Sequence, residues 1–86
     1  MQHEIIVYAA EWCGDCQRSK LFLDEHRIPY RWVDIDHDPD GEAYVLRHNR
    51  GMRSVPTIVF ADGSVLVEPS DDALAAKLGI DLTLNL

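Results

Sequence analysis

The chain has 86 residues, room for one small domain, and a domain of this size buries roughly 60–65% of the surface it exposes when unfolded. Its apolar fraction of 47% and charged fraction of 27% are ordinary for a soluble globular protein. A formal net charge of −7, from 15 acidic against 8 basic residues, argues against nucleic acid or anionic membrane as a main partner.

No apolar run approaches the roughly 18 residues that span a bilayer. The opening "MQHEIIVYAAEWC" has neither a basic leader nor a small-residue cleavage site, so the expected location is the cytoplasm. No repeat, low-complexity tract or linker interrupts the chain.

In chain order, "EIIVYAA" is apolar and rich in β-branched residues, which predicts a short buried strand. From Cys13 to about His26, Leu21, Phe22 and Leu23 set among charges predict a helix that ends before Ile28-Pro29. "YRWVDI" alternates as a strand partly buried on both faces would. Asp38-Pro39 reads as an N-cap with proline at the first helical position, opening a helix that stops near Gly51. "TIVFADGSVLVE" predicts a hairpin turning at Asp62-Gly63. Ser70, with Asp71 and Asp72 behind it, caps a last helix, "DDALAAKL", stopped by Gly79. The order β-α-β-α-β-β-α predicts an α/β layered domain: a parallel βαβ unit, an antiparallel hairpin and helices over the sheet.

Both cysteines lie in "AEWCGDCQRSK", as Cys13 and Cys16. A structural disulfide is disfavoured. Cytosolic thiols are kept reduced, and so short a loop removes only about 2 kcal/mol of unfolded-chain entropy. A metal site needs about four ligands, and none of His3, His26, His37 or His48 falls in a paired spacing. A cluster shared between two chains stays open as a rival. The redox reading accounts for position as well as spacing. The pair sits where a strand passes into a helix, so Cys13 lies among unpaired amides at the positive dipole end, which favours a thiolate. Cys16, one turn in on nearly the same face, can then resolve a mixed disulfide formed on Cys13.

Asp15 favours the helix start yet opposes a thiolate nearby. It is expected to temper the acidity of Cys13, with Arg18 offsetting it; a plain first-turn role fits equally well. "DHDPDG" offers Asp36, Asp38 and Asp40 in calcium-loop positions, but the twelfth position is Arg47 rather than glutamate, so a capping loop is expected instead.

With "WCGDC", "SVPT" and "FADGS" in this order, the chain resembles the glutaredoxin branch of the thioredoxin fold over nearly its whole length. Within that branch "DIDHDP" and "SVPTIVFADGSVLVEPS" look most like the mycoredoxins. The resemblance implies a thioredoxin-like, glutaredoxin-type domain over residues 1–79, with a four-stranded mixed sheet flanked by helices. Residues 80–86 then form a C-terminal tail that could cover the domain, add an edge strand or join two chains. The implied activity is thiol–disulfide exchange by a monomer that needs no organic cofactor and no metal. Its partners would be disulfide-containing or thiolated proteins, and a low-molecular-weight thiol such as mycothiol or glutathione. A redoxin reduced directly by thioredoxin reductase, serving ribonucleotide reductase or peroxidases, is the alternative; an iron–sulfur carrier is the second.

The resemblance further implies a cis Val55-Pro56 bond beside Cys13, with the backbone of Val55 pairing to the cysteinyl part of a bound thiol or peptide. The chain also departs from the family pattern. Gly14-Asp15 replaces Pro-Tyr between the cysteines, Ala10 replaces a frequent lysine, and "VEPSDD" replaces the Gly-Gly-containing turn that grips glutathione. Ser70 and Asp71 could meet an amine or sugar, or simply cap the helix. In "RHNRGMR", Arg47, Arg50 and Arg53 could meet carboxylates of a ligand or complement a helix C-terminus. Trp12 either lies exposed at the docking rim or packs beneath it.

Overall fold

A computed structural model describes residues 4–82 of the chain. Its elements run β1 (Ile5–Ala9), α1 (Gly14–Glu25), β2 (Tyr30–Asp34), α2 (Pro39–His48), β3 (Thr57–Val59), β4 (Val65–Val67) and α3 (Asp71–Leu78). The sheet order is β2-β1-β3-β4. β1 pairs parallel with β2, aligning Ile5 with Tyr30 and Ala9 with Asp34. It pairs antiparallel with β3, which closes the hairpin to β4. Three helices and a four-stranded mixed sheet are thus the α/β architecture expected from the sequence.

Local chemistry sets the boundaries. Ser70 Oγ accepts the Ala73 N–H at 3.1 Å, and Gly79 ends α3 in the left-handed region that glycine enters without strain. Asp38 Oδ1 accepts the Gly41 N–H at 3.0 Å and Pro39 opens α2. The hairpin closes through the Phe60 N–H to Ser64 O at 2.9 Å, with Asp62 Oδ1 accepting the Ser64 N–H at 2.9 Å. Both hairpin strands are only three residues long, shorter than the β-rich runs suggested.

Alternation along β1 sends Val7 and Ala9 to one face, where they join Ile58, Phe22, Leu23, Leu74 and Ala75 in one core. Tyr8 lies on the other face and stacks on Tyr44 of α2, ring centroids 4.8 Å apart. Leu21 is 57% exposed: three consecutive apolar residues span too wide an arc for one helix face, and Phe22 and Leu23 take the buried side. Of the tail, Ile80 donates its N–H to Ala75 O at 2.8 Å and packs, with Leu82, against the core. Leu84 and Leu86 lie outside the described residues. No described helix is long and apolar enough to cross a membrane.

At Gly41, α2 lies close against the sheet. A Cβ there would stand 2.7 Å from Val33 Cγ1, and Val33 is itself buried. Alanine is the better helix former by about 1 kcal/mol, but overpacking costs about 1–3 kcal/mol. Gly41→Ala is therefore expected to lose about 1 kcal/mol net, a fall of about 4–8 °C in Tm by calorimetry. An unchanged Tm would mean that α2 can lift off the sheet freely.

Candidate active site

The loop after β1 delivers both thiols. Cys13 is the N-cap of α1, in extended backbone geometry, so its side chain faces the helix's unpaired amides. The Cys16 N–H points at Cys13 Sγ from 3.1 Å. A donor in that position stabilises negative charge on the sulfur. On its other side, Cys13 Sγ lies 3.7 Å from Val55 O, close enough for a protonated thiol to donate. One sulfur thus has a partner for each of its protonation states.

The cysteines are free thiols with unequal access. Cys13 is 7% exposed; Cys16 is fully buried. Burial, and next the hydrogen bond with Cys13, push the Cys16 thiol up to about 12. The outer sulfur is therefore the more accessible of the two, and the inner one is held as a thiol.

Val55 and Pro56 come from the segment between α2 and β3. Their peptide bond is cis, and both residues are buried. Pro56 O accepts the Glu68 N–H at 2.8 Å, tying the "VEPSDD" turn to this segment. Glu68 is held at φ 50, in the left-handed region that glycine favours.

Two clusters of charge form on the elements that carry the site, and each engages an arginine. Arg18 Nη1 donates to Asp71 Oδ1 at 3.0 Å, while its Nη2 reaches Pro69 O at 3.2 Å and Asp15 Oδ1 at 3.4 Å. Asp15, Arg18 and Asp71 are thereby brought together between α1 and the start of α3, next to Ser70, whose hydroxyl caps that helix. Arg53 Nη2 donates to Asp36 Oδ1 at 2.6 Å and its Nε to Glu42 Oε2 at 2.8 Å. Trp12 is 67% exposed yet tethered, its Nε1–H donating to Asp36 Oδ2 at 2.8 Å. Arg53 foremost, then Trp12, hold the Asp36 carboxyl below the usual carboxylate range. Met52, 64% exposed, stands next to Arg53 in the chain.

Sequence reasoning weighed Asp36 only as a calcium-loop position, which it rejected, and did not consider Glu42. A signal was available for Asp36. It follows β2 as Trp12 follows β1, and parallel neighbours end at the same edge of the sheet. Among the described residues no group of three or more His, Cys, Asp or Glu side chains is placed to hold a metal ion.

His37, exposed beside this rim, has Nδ1 2.9 Å from Asp34 Oδ2. That hydrogen bond above all, with Asp36 and Glu11 adding their charge, raises the His37 pKa above its ordinary 6.5. An NMR titration should place its midpoint above 6.5, and Asp34→Asn should return it towards that value. The pairing contributes fully below pH 6.5 and is lost as pH rises through the folded-state midpoint. A midpoint indifferent to Asp34→Asn would show that the pair does not hold in solution.

A strand-to-helix C-x-x-C with a cis-proline segment over its outer sulfur, on this mixed sheet, defines a thioredoxin-like redox domain. The chain belongs to the glutaredoxin family, whose family model matches residues 5–66. A Mycobacterium tuberculosis protein bearing a glutaredoxin name is 46% identical over 74 residues, 86% of this chain and 88% of that one. Mycoredoxin 1 of Corynebacterium glutamicum is 31% identical over 74 residues, covering 86% of this chain and 91% of that one. Among solved structures, a point mutant of the thioredoxin-like protein BC3987 superposes with a TM-score of 0.80 at 29% identity. That match covers 91% of this chain and 97% of that one.

Proposed function

We propose that this protein is a cytoplasmic thiol–disulfide oxidoreductase that reduces protein disulfides or mixed disulfides at the expense of a low-molecular-weight thiol. The observation that carries the reading is the amide of Cys16 aimed at Cys13 Sγ from 3.1 Å, on a sulfur that is outermost of the pair. The Cys13 thiolate attacks a disulfide sulfur; a Cys13–S–S–R bond forms as the substrate S–S bond breaks, and the leaving thiolate takes a proton from solvent. In the dithiol route Cys16 loses its proton, attacks Cys13 sulfur and expels R–SH, leaving the Cys13–Cys16 disulfide. Two thiol equivalents of the small reductant then restore both cysteines and emerge as its disulfide. In the monothiol route the low-molecular-weight thiol stays on Cys13 until a second thiol removes it. Electrons thus pass from the small-thiol pool to protein disulfides, which maintains thiol redox balance.

The flanking charges favour a particular reductant. Arg18 and Arg53 already face carboxylates, so neither offers a dicarboxylate thiol an unneutralised cation. Carboxylates, the Ser70 hydroxyl and backbone carbonyls are acceptors suited to a hydroxyl-rich thiol. Mycothiol fits that description better than glutathione does, and the likeness to mycoredoxin 1 agrees.

Reduction rates of the oxidised protein with mycothiol, with glutathione, and with NADPH plus thioredoxin reductase test this by free-thiol titration. Faster reduction by mycothiol supports the proposal. Reduction by the flavoenzyme alone overturns it and makes the chain a reductase-linked redoxin. Absorbance above 300 nm in freshly purified protein would instead point to an iron–sulfur carrier.

A further inference from the structure

One carboxylate connects the loops that carry the two halves of the site. Asp36 Oδ2 takes the indole N–H of Trp12, the residue directly before the nucleophile. Its Oδ1 takes Nη2 of Arg53, two positions before Val55. Asp36 is itself fixed, because its N–H donates to Asp34 Oδ1 at 2.9 Å. Arg53 is anchored to α2 through Glu42 at 2.8 Å. Beyond Val55, Thr57 Oγ1 donates to Ser54 O at 2.7 Å and accepts from Asn49 Nδ2 at 3.1 Å. The segment bearing Val55 is therefore held on both sides, and Val55 O rests 3.7 Å from Cys13 Sγ.

Such partly exposed ion pairs add little to folding stability. Their convergence on one carboxylate does something else: it fixes one loop against another. We propose that Asp36 is a positioning residue that sets the spacing of Cys13 and the Val55 backbone for an incoming disulfide. The inference rests on the proposed role of Cys13 as nucleophile. A peptide disulfide must place one sulfur in line with Cys13 while its main chain lies along Val55, so both loops must stand in register. Misplacement by about 1 Å costs up to about a hundredfold in such reactions. A small alkylating reagent touches only the sulfur and has no such requirement.

The test compares two reactions of the pre-reduced protein. In one, a hexapeptide dimer joined by a Cys–Cys disulfide oxidises the Cys13–Cys16 pair and leaves as two peptide thiols. In the other, iodoacetamide alkylates Cys13. Asp36→Ala should slow the peptide reaction about tenfold while alkylation stays within about twofold. Asp36→Asn, which keeps one acceptor, should fall between. Arg53→Gln should also slow the peptide reaction, and the double variant should be no slower than Asp36→Ala, as members of one connection behave. If Asp36→Ala does not fold, Asp36→Asn and Arg53→Gln carry the comparison. Equal losses in both reactions, no loss in the peptide reaction, or losses that multiply in the double variant overturn the proposal. Failure of the wild-type protein to reduce the peptide disulfide would instead remove the nucleophile reading, and the positioning role with it.

Discussion

Cys13→Ser is expected to abolish disulfide exchange, whereas Cys16→Ser should keep reducing mixed disulfides of a small thiol. A serine hydroxyl at position 13 would meet the same Cys16 N–H that lies 3.1 Å from the sulfur, but it does not ionise in the accessible range and cannot expel a thiolate. The loss should reach at least about a thousandfold, the scale on which removal of a covalent nucleophile is felt. Cys16→Ser retains Cys13, its N-cap position and the backbone amide that points at it, because that donor is main chain. It should fail only where resolution is required, with a substrate whose mixed disulfide on Cys13 has no second thiol to remove it. Mass spectrometry of a quenched reaction should show that adduct accumulating on Cys13. Equal activity loss in both variants on a mixed disulfide would mean that the dithiol route is obligatory.

Much of this arrangement is readable from short stretches, since the physics that fixes it is local. Ser70, Asp38 and Gly79 each satisfy helix ends within three or four residues, so their spacing announces them. The Asp62-Gly63 turn is equally local. Cys13 and Cys16 follow from a strand passing into a helix. The rim is less legible. Arg53 reads as a cation free to meet a ligand carboxylate, yet it faces Asp36 and Glu42, 17 and 11 positions away. Arg18 likewise reaches Asp71 and the Pro69 carbonyl across 53 and 51 positions. Such pairings exist only once the sheet brings the loops to one edge, and acidic residues abound in this chain. The turn before α3 is obscure for another reason. Glu68 holds a positive φ that sequence usually marks with glycine, and its backbone bond to Pro56 O replaces the missing mark.

The difference between the two thiols gives the other large effect. Only a thiolate is alkylated, and an ordinary cysteine of pKa about 8.5 is a few per cent ionised at pH 7. Cys16, pushed up to about 12 by burial and by its hydrogen bond with Cys13, would be ionised to only about one part in 10⁵. Iodoacetamide at pH 7 should therefore modify Cys16 more than about a thousandfold more slowly than a free cysteine, before steric exclusion adds its share. The reagent should stop at one carboxamidomethyl group, mapped to Cys13 by tandem mass spectrometry. In Cys13→Ser the folded protein should take up almost none, and denaturant should restore full labelling of Cys16. The same shift has a consequence for stability with a definite sign. Cys16 ionises more readily in the unfolded chain than in the fold, so its contribution is intact below pH 9 and is lost as pH rises towards about 12. Rapid labelling of Cys16 in the native reduced protein would show that α1 opens at its first turn. The inner thiol would then be shielded by a moving helix end, and the order of attack would be set by dynamics rather than by burial.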